Sequence, residues 1–251
     1  DEARPAPSAS NPCKVNLTES DSVADIVKRS PPAVLRGASP KSVCHDSEKW
    51  LKYFLSADEI SFMRALRVSE KTVKLGSYAT VNVGVVTGKN QFFVLRESEV
   101  SDLGLQKYTM PLIARSAHLE GAIVDKAGWR TLADENQRVH LLHLATINGT
   151  KPKGSLASYI RLGEEQQVHK GYKCSVRTPW YAVPSVYVPH AFVFRQIYDF
   201  PRIVLNEAEA TATDTIHRMR CKGGDPRAIV ANSYSYLTAA SAEIEGRSYA
   251  G

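Results

Sequence analysis

Between Tyr172 and Arg220 the chain reads YKCSVRTPWYAVPSVYVPHAFVFRQIYDFPRIVLNEAEATATDTIHRMR. Proline has no N–H to give to a β-ladder, so Pro179, Pro184, Pro189 and Pro201 mark strand edges and turns. The β-branched and aromatic runs between them are therefore short strands, several of which fit between Arg177 and Arg220. The stretch closes on a polar segment dense in Thr, Asp, His and Arg. Two readings stay open on composition: a surface that meets a polar, anionic partner, or an ordinary β-rich core with a solvated hairpin.

A chain of 251 residues holds one large domain or two small ones, and its 43% hydrophobic and 23% charged content is that of a globular protein. The formal charge of +6 permits nucleic-acid binding without demanding it. That excess lies beyond residue 50, because residues 1–50 carry seven basic and seven acidic side chains. Cys13, Cys44, Cys174 and Cys221 show no CxxC and no Cys/His spacing, which argues against a zinc site and a disulfide framework. No apolar run approaches the roughly 18–20 residues of a membrane span. No membrane partner is expected, and a reducing cytoplasm is the default.

Residues 1–45 are rich in Pro and Ser without sustained periodicity and read as a flexible linker or disordered arm. A globular region is expected over 46–251, opening with a short helix around Trp50, Tyr53 and Phe54. Ser56-Ala-Asp-Glu59 has the form of a capping box, with Ile60, Met63 and Leu66 on one helix face. Val81, Val83 and Val85 then alternate as in a half-buried strand. With the run Phe92–Leu95 they read as a hairpin whose tip is Thr87-Gly-Lys-Asn90. Helices are expected over 98–105, 125–134 and 156–167, and strands over 108–113 and 139–144. Asp225-Pro226 opens a final helix running towards Ile244. The class is α+β, a mixed β-rich domain with flanking helices.

Catalytic signatures are missing. There is no GxGxxG, no GxxxxGK[ST], no HExxH and no GxSxG. Ser30-Pro-Pro-Ala33 approaches the [DNS]-Pro-Pro-aromatic tetrapeptide of amino-methyltransferases but has Ala33 where the stacking ring belongs, and it reads as a linker coincidence. Glu164, Glu165, Asp214 and His217 make no self-sufficient site. No catalytic, cofactor-binding or metal-binding residue is assigned.

Four blocks carry a resemblance. They are Val83-Gly-Val-Val-Thr-Gly-Lys-Asn-Gln-Phe-Phe-Val94 and Tyr172-Lys-Cys-Ser-Val-Arg-Thr-Pro-Trp-Tyr181. The others are Phe200-Pro-Arg-Ile-Val-Leu-Asn206 with Ala210-Thr-Ala-Thr-Asp-Thr-Ile-His-Arg218, and Ala242-Glu-Ile-Glu-Gly-Arg-Ser-Tyr249. In order and spacing, over about residues 48–251, they resemble the C-terminal target recognition domain of adenine-specific (N6) DNA methyltransferases of restriction-modification systems, of the TaqI-like gamma class. Asn232-Ser-Tyr-Ser-Tyr-Leu237 departs from the family's Asn-Ser-Leu-Thr-Leu pattern.

The resemblance implies sequence-specific recognition of duplex DNA, with S-adenosylmethionine and methyl transfer to a flipped adenine belonging to a catalytic domain outside this chain. The chain alone is then inactive. Its expected place is a prokaryotic cytoplasm, at the nucleoid, with duplex DNA and that catalytic domain as partners. It further implies that Thr87, Lys89 and Asn90 present a DNA-facing tip, with Lys89 on a phosphate. Arg115 is a second phosphate candidate, Arg177 lines the groove, and Thr213, Thr215, His217 and Arg218 touch DNA or brace the loop that does. Asp214 orients its neighbours, since phosphate repels a carboxylate. A restriction endonuclease sharing only the recognition half remains an alternative, with Glu164, Glu165 and Lys170 the nearest approach to a metal site. So does a non-catalytic interaction module.

Overall fold

The computed structural model describes residues 13–18, 20–36, 38–44, 47–144, 151–196 and 200–246. Its mixed helices and sheets give the α+β class, and the chain divides into two compact units, the second running from Lys74 to Ala239.

The first unit holds β1 (Cys13–Leu17), α1 (Val23–Lys28), α2 (Pro31–Arg36), β2 (Ser39–Val43) and α3 (Ala57–Val68). Within the segment expected to be an arm, β1 and β2 pair antiparallel. The near-match to a catalytic tetrapeptide lies at the start of α2, where two prolines occupy the first turn. A single turn of 3-10 helix, Trp50–Phe54, buries Tyr53 against Val43 and Ile60. Ser56 caps α3 as its spacing implies: its hydroxyl accepts from the Glu59 N–H, and the Glu59 carboxylate accepts from the Ser56 N–H. A buried charge cluster completes the unit. Glu48 accepts from Arg64 at 2.8 Å, from Lys52 at 3.2 Å and from the Tyr53 hydroxyl at 3.0 Å. The Arg64 guanidinium is the main reason the Glu48 carboxyl is pulled down to about 2.

The second unit is built on two sheets. Its elements are α4 (Leu75–Tyr78), β3 (Ala79–Val83), α5 (Asn90–Phe93), β4 (Val94–Leu95), α6 (Glu97–Asp102), β5 (Thr109–Ile113), β6 (Ile123–Val124), α7 (Lys126–Asp134), β7 (His140–Leu142), α8 (Gly154–Glu165), α9 (Tyr172–Ser175), β8 (Ala191–Phe194), β9 (Ile203–Asn206), β10 (Thr211–Ala212), β11 (Ile216–Cys221) and α10 (Pro226–Ser233). A last helix, α11 (Tyr236–Glu245), groups with the first unit from Ala240 onward. The expected final helix is thus two, divided at Tyr234 and Ser235.

One sheet has the order β10-β5-β7-β4, the other β3-β11-β8-β9-β6. In the second, β11 pairs antiparallel with both β3 and β8, so its alternate side chains point to two faces. Ile216 is buried beside Phe192, and Met219 is buried beside Ala191 and Val230 on the opposite face. A third core lies on the β4–β7 side. There Phe92 stacks on Tyr159 with centroids 4.6 Å apart, and Trp180 lies 5.5 Å from Phe92. Trp180 and Tyr181 pack against this core, the role their size favours. Gly163 makes room for the pair: a Cβ there would sit 2.6 Å from Phe92 and 2.7 Å from Trp180.

The hairpin expected around Thr87–Asn90 does not form. The strand before it joins the five-stranded sheet, the strand after it joins the four-stranded sheet, and residues 90–93 turn once as α5 between them. Val85 instead bridges to Thr213 in parallel, and its N–H donates to the Ala212 carbonyl at 2.6 Å. The alternation Val81, Val83, Val85 also misled about burial. Val85 is buried, but Val81 is 41% and Val83 52% exposed, because β3 is the edge strand and extends past the core.

Candidate nucleic-acid interface

The residues singled out in the sequence separate into three places. Arg115, at the end of β5, and Thr215, in the turn before β11, meet in a cleft of about 290 Å³ together with Ser116, Phe194, Arg195 and Gln196. The parallel pairing of β10 with β5 creates it by bringing residues a hundred positions apart to one sheet end. Thr213 is buried beneath. Its hydroxyl donates to the Ala114 carbonyl at 2.9 Å and lies 3.0 Å from the Thr215 hydroxyl, so it braces the turn rather than facing solvent.

The cleft is electropositive. Among the described residues, no carboxylate lines it and neither Arg115 nor Arg195 has a salt-bridge partner. Two histidines register this field. Burial lowers the pKa of His217, and Arg195 lowers it further; burial and then Arg115 do the same to His118. His217 sits on β11 opposite Val193, and Arg195 stands just past the end of β8. Exposed fork donors and hydroxyls at such a site suit an anion, above all a phosphate.

The second place is the loop Gly84–Lys89. Thr87 is buried, and its hydroxyl is hydrogen-bonded to the Asn90 side chain and to the Lys89 N–H. Thr87 therefore shapes the turn and leaves the surface to Lys89 and Asn90, both exposed. Gly88 has φ +88°, and a Cβ on it would lie 2.8 Å from the Lys173 Cβ. Glycine is needed there on both counts, and the approach places the Lys89 loop beside Lys173. Arg177 clamps this loop from below, donating to the carbonyls of Thr87 and Val86 at 2.8 Å each. Its fork is occupied by backbone.

Arg218 is the third case. It is 2% exposed and donates to Val83 O at 3.0 Å and Ser185 O at 2.8 Å, with its guanidinium 4.0 Å from the Tyr187 ring centroid. It ties the loop around Ser185 to β3 and β11 as part of the interior. Asp214 is half-buried in the turn between β10 and β11. Glu164 binds the Trp180 indole at 3.3 Å.

Arg195, Ser116, Lys173 and Arg220 were not singled out from the sequence. Arg195 closes the apolar run of β8, and Arg220 stands two positions after Arg218. Period-two spacing is the sole signal either one carries.

The family profile described as the Type II methyltransferase M.Eco57I, C-terminal domain, matches residues 47–251. The chain belongs to this family. It is 26% identical over 138 residues to the Type II methyltransferase M.AccI of Acinetobacter calcoaceticus, a match covering 55% of this chain and 24% of that protein. The chain thus matches about a quarter of the length of that curated relative. Among solved structures, it is similar to the type IIG restriction endonuclease BpuSI, at 11% identity and a TM-score of 0.40, over 80% of this chain and 25% of the other. The cleft, the Lys89 loop and the buried Arg218 thus belong to a domain of the Type II methyltransferase C-terminal family. Among the described residues, no helix is long and apolar enough to cross a membrane.

Proposed function

We propose that this domain reads duplex DNA for an adenine-specific methyltransferase, whose catalytic domain lies in the same parent protein and transfers the methyl group. The observation that carries the reading is the cleft shared by Arg115 and Arg195, with Ser116 and Thr215 hydroxyls at its wall and no carboxylate among its lining. Lys89 and Lys173 make a second positive spot, at the loop Gly84–Lys89. Unneutralised guanidiniums beside hydroxyls are the donor set for a phosphate backbone, and phosphate contacts set the register in which bases are read.

S-adenosylmethionine, the methyl donor of such enzymes, does not fit these residues. Its sulfonium is a cation, and the Arg115–Arg195 cleft repels it. The cofactor belongs with the catalytic domain, and no methyl-transfer step is assigned to this chain. The remaining expectation, a prokaryotic cytoplasmic protein working at the nucleoid, follows from the same reading.

The test is binding of the 251-residue chain to duplex DNA across a salt series. Affinity should fall steeply with salt, and Lys89→Ala, Arg115→Ala and Arg195→Ala should each reduce the slope by roughly one unit. DNA should also raise the pKa of His217, because a phosphate in the cleft offsets Arg195; an NMR titration reads this directly. Salt-independent binding, or slopes unchanged in all three variants, would sink the reading. Magnesium-dependent cleavage of the duplex would favour the endonuclease alternative.

A further inference from the structure

We propose that the exposed end of the β3–β11 ribbon, at Thr80, Asn82 and Arg220, is a base-reading surface on which Arg220 is held ready for the major-groove edge of a guanine. This rests on the DNA-binding reading above and adds to it a residue, a groove and a base.

Strand β11 pairs with β3 at the edge of the sheet, and Arg220 lies opposite Thr80 as Arg218 lies opposite Asn82. These four side chains share one face. Arg218 is buried, whereas Thr80, Asn82 and Arg220 are exposed. Tyr187 sits between the two arginines, its ring centroid 4.0 Å from the Arg218 guanidinium and 4.2 Å from that of Arg220. Arg218 is itself pinned by backbone carbonyls of Val83 and Ser185. The Tyr187 hydroxyl is buried and has no hydrogen bond among the described residues, so the ring is positioned by stacking.

The result is a guanidinium held over the Tyr187 ring. Arg220 makes no side-chain hydrogen bond and no salt bridge among the described residues, and its edge N–H groups stay available. A phosphate contact needs only positive charge within reach. Bidentate recognition of guanine O6 and N7 needs an oriented plane, which stacking supplies while removing rotamer freedom beforehand. Asn82, on the adjoining strand of the same face, is the side-chain type that pairs with adenine. Past Met219, β11 pairs with β3 alone, and a two-stranded antiparallel ribbon is a shape that the major groove admits.

Selection from a pool of random duplexes, by the wild-type chain and by Arg220→Ala, Arg220→Lys, Tyr187→Leu and Lys89→Ala, tests this. The wild type should enrich a motif with an obligatory guanine. Arg220→Ala should relax that one position by roughly 10- to 100-fold and leave the others in place. Arg220→Lys keeps the charge and should lose the same preference while retaining low-salt binding. Tyr187→Leu should fall between wild type and Arg220→Ala. Lys89→Ala should weaken all sequences alike. Unchanged circular dichroism and urea midpoints would confirm that the Arg220 variants are folded, as its exposure implies.

The inference is overturned if both Arg220 variants keep the wild-type motif, or if they weaken every duplex equally. A wild-type chain that binds duplex without preference overturns it too, with the DNA-binding reading intact. A wild-type chain with no salt-dependent duplex binding overturns both. Enrichment of a motif lost in Arg220→Ala alone and kept in Arg220→Lys would assign a charge contact to Arg220 and overturn the guanine contact.

Discussion

Five arginines of the second unit play four distinct parts, and the difference between them is geometric. Arg115 and Arg195 meet solvent in a shared cleft, Arg177 holds a loop by two carbonyls, Arg218 is buried, and Arg220 is stacked and exposed. A guanidinium stays protonated even when buried, so Arg218 is tolerable only because carbonyl oxygens and a π-face surround it. Removing it strands the Ser185 carbonyl and empties the space against Tyr187. Arg218→Leu is expected to cost about 2–4 kcal/mol in urea unfolding. Arg218→Lys should recover part of that, since an ammonium cannot span both carbonyls as a fork does. A midpoint equal to wild type in Arg218→Leu would refute the internal role. Sequence alone grouped Arg218 with contact residues because it closes the polar run from Thr213; that Arg220 shares its face is legible from the period of two, but which of them Tyr187 and the Ser185 loop cover is not.

At the scale of elements, the controlling feature is the crossing from one sheet to the other through Gly84 and Val85. A Cβ at Gly84 would lie 1.9 Å from the Thr213 carbonyl oxygen and 2.6 Å from that of Ile216, both backbone atoms that no rotamer change can move away. Gly84→Ala must therefore push the β3 exit from the β10–β11 turn and break the Val85 N–H bond to Ala212. A loss of about 3 kcal/mol or more is expected, against little change for Gly76→Ala, where nothing lies within 4 Å. Thermal unfolding of the two variants side by side checks this; equal melting temperatures would refute it. Local signals predicted several elements well. The capping box at Ser56 and Asp225-Pro226 at α10 each use short-range chemistry, in which the relevant atoms lie within three residues. The Thr87–Asn90 hairpin failed for the opposite reason. Period-two patterning tells that a segment is extended, and pairing partners are chosen by residues far away.

Over the whole molecule, proton linkage gives a testable profile. His118, His140, His143 and His217 all have pKa values lowered from 6.5, each chiefly by burial. The folded state then binds fewer protons than the unfolded one, so their neutral-form stability is complete above pH 6.5 and is lost as pH falls from there through the lowered folded-state values. Glu48 acts in a lower window. Its carboxyl drops from 4.5 to about 2, so its contribution of about 3 kcal/mol is intact above pH 4.5 and disappears as pH falls towards 2. Urea midpoints should hold above pH 6.5, decline as pH falls below it, and fall further below pH 4.5 as Glu48 takes up its proton. A midpoint that rises on acidification from 7.5 to 5.5 would contradict the histidine environments.

Sequence by itself determined the α+β class, the capping box at Ser56, the Asp225-Pro226 helix start and the family, because these depend on local propensity and on blocks of consecutive residues; of the runs between the four prolines read as strands, only the one after Pro189 forms a strand among the described residues, β8. It also named Arg115, Thr215 and His217. Tertiary structure decided what those names mean. The β10–β5 pairing joins Thr215 to Arg115 across a hundred residues, Arg195 arrives through β8, and Tyr187 sorts Arg218 into the interior while leaving Arg220 outside. Charge is written in each residue, but its availability depends on what non-local neighbours bury, bond or leave open, and only the folded chain brings those neighbours together.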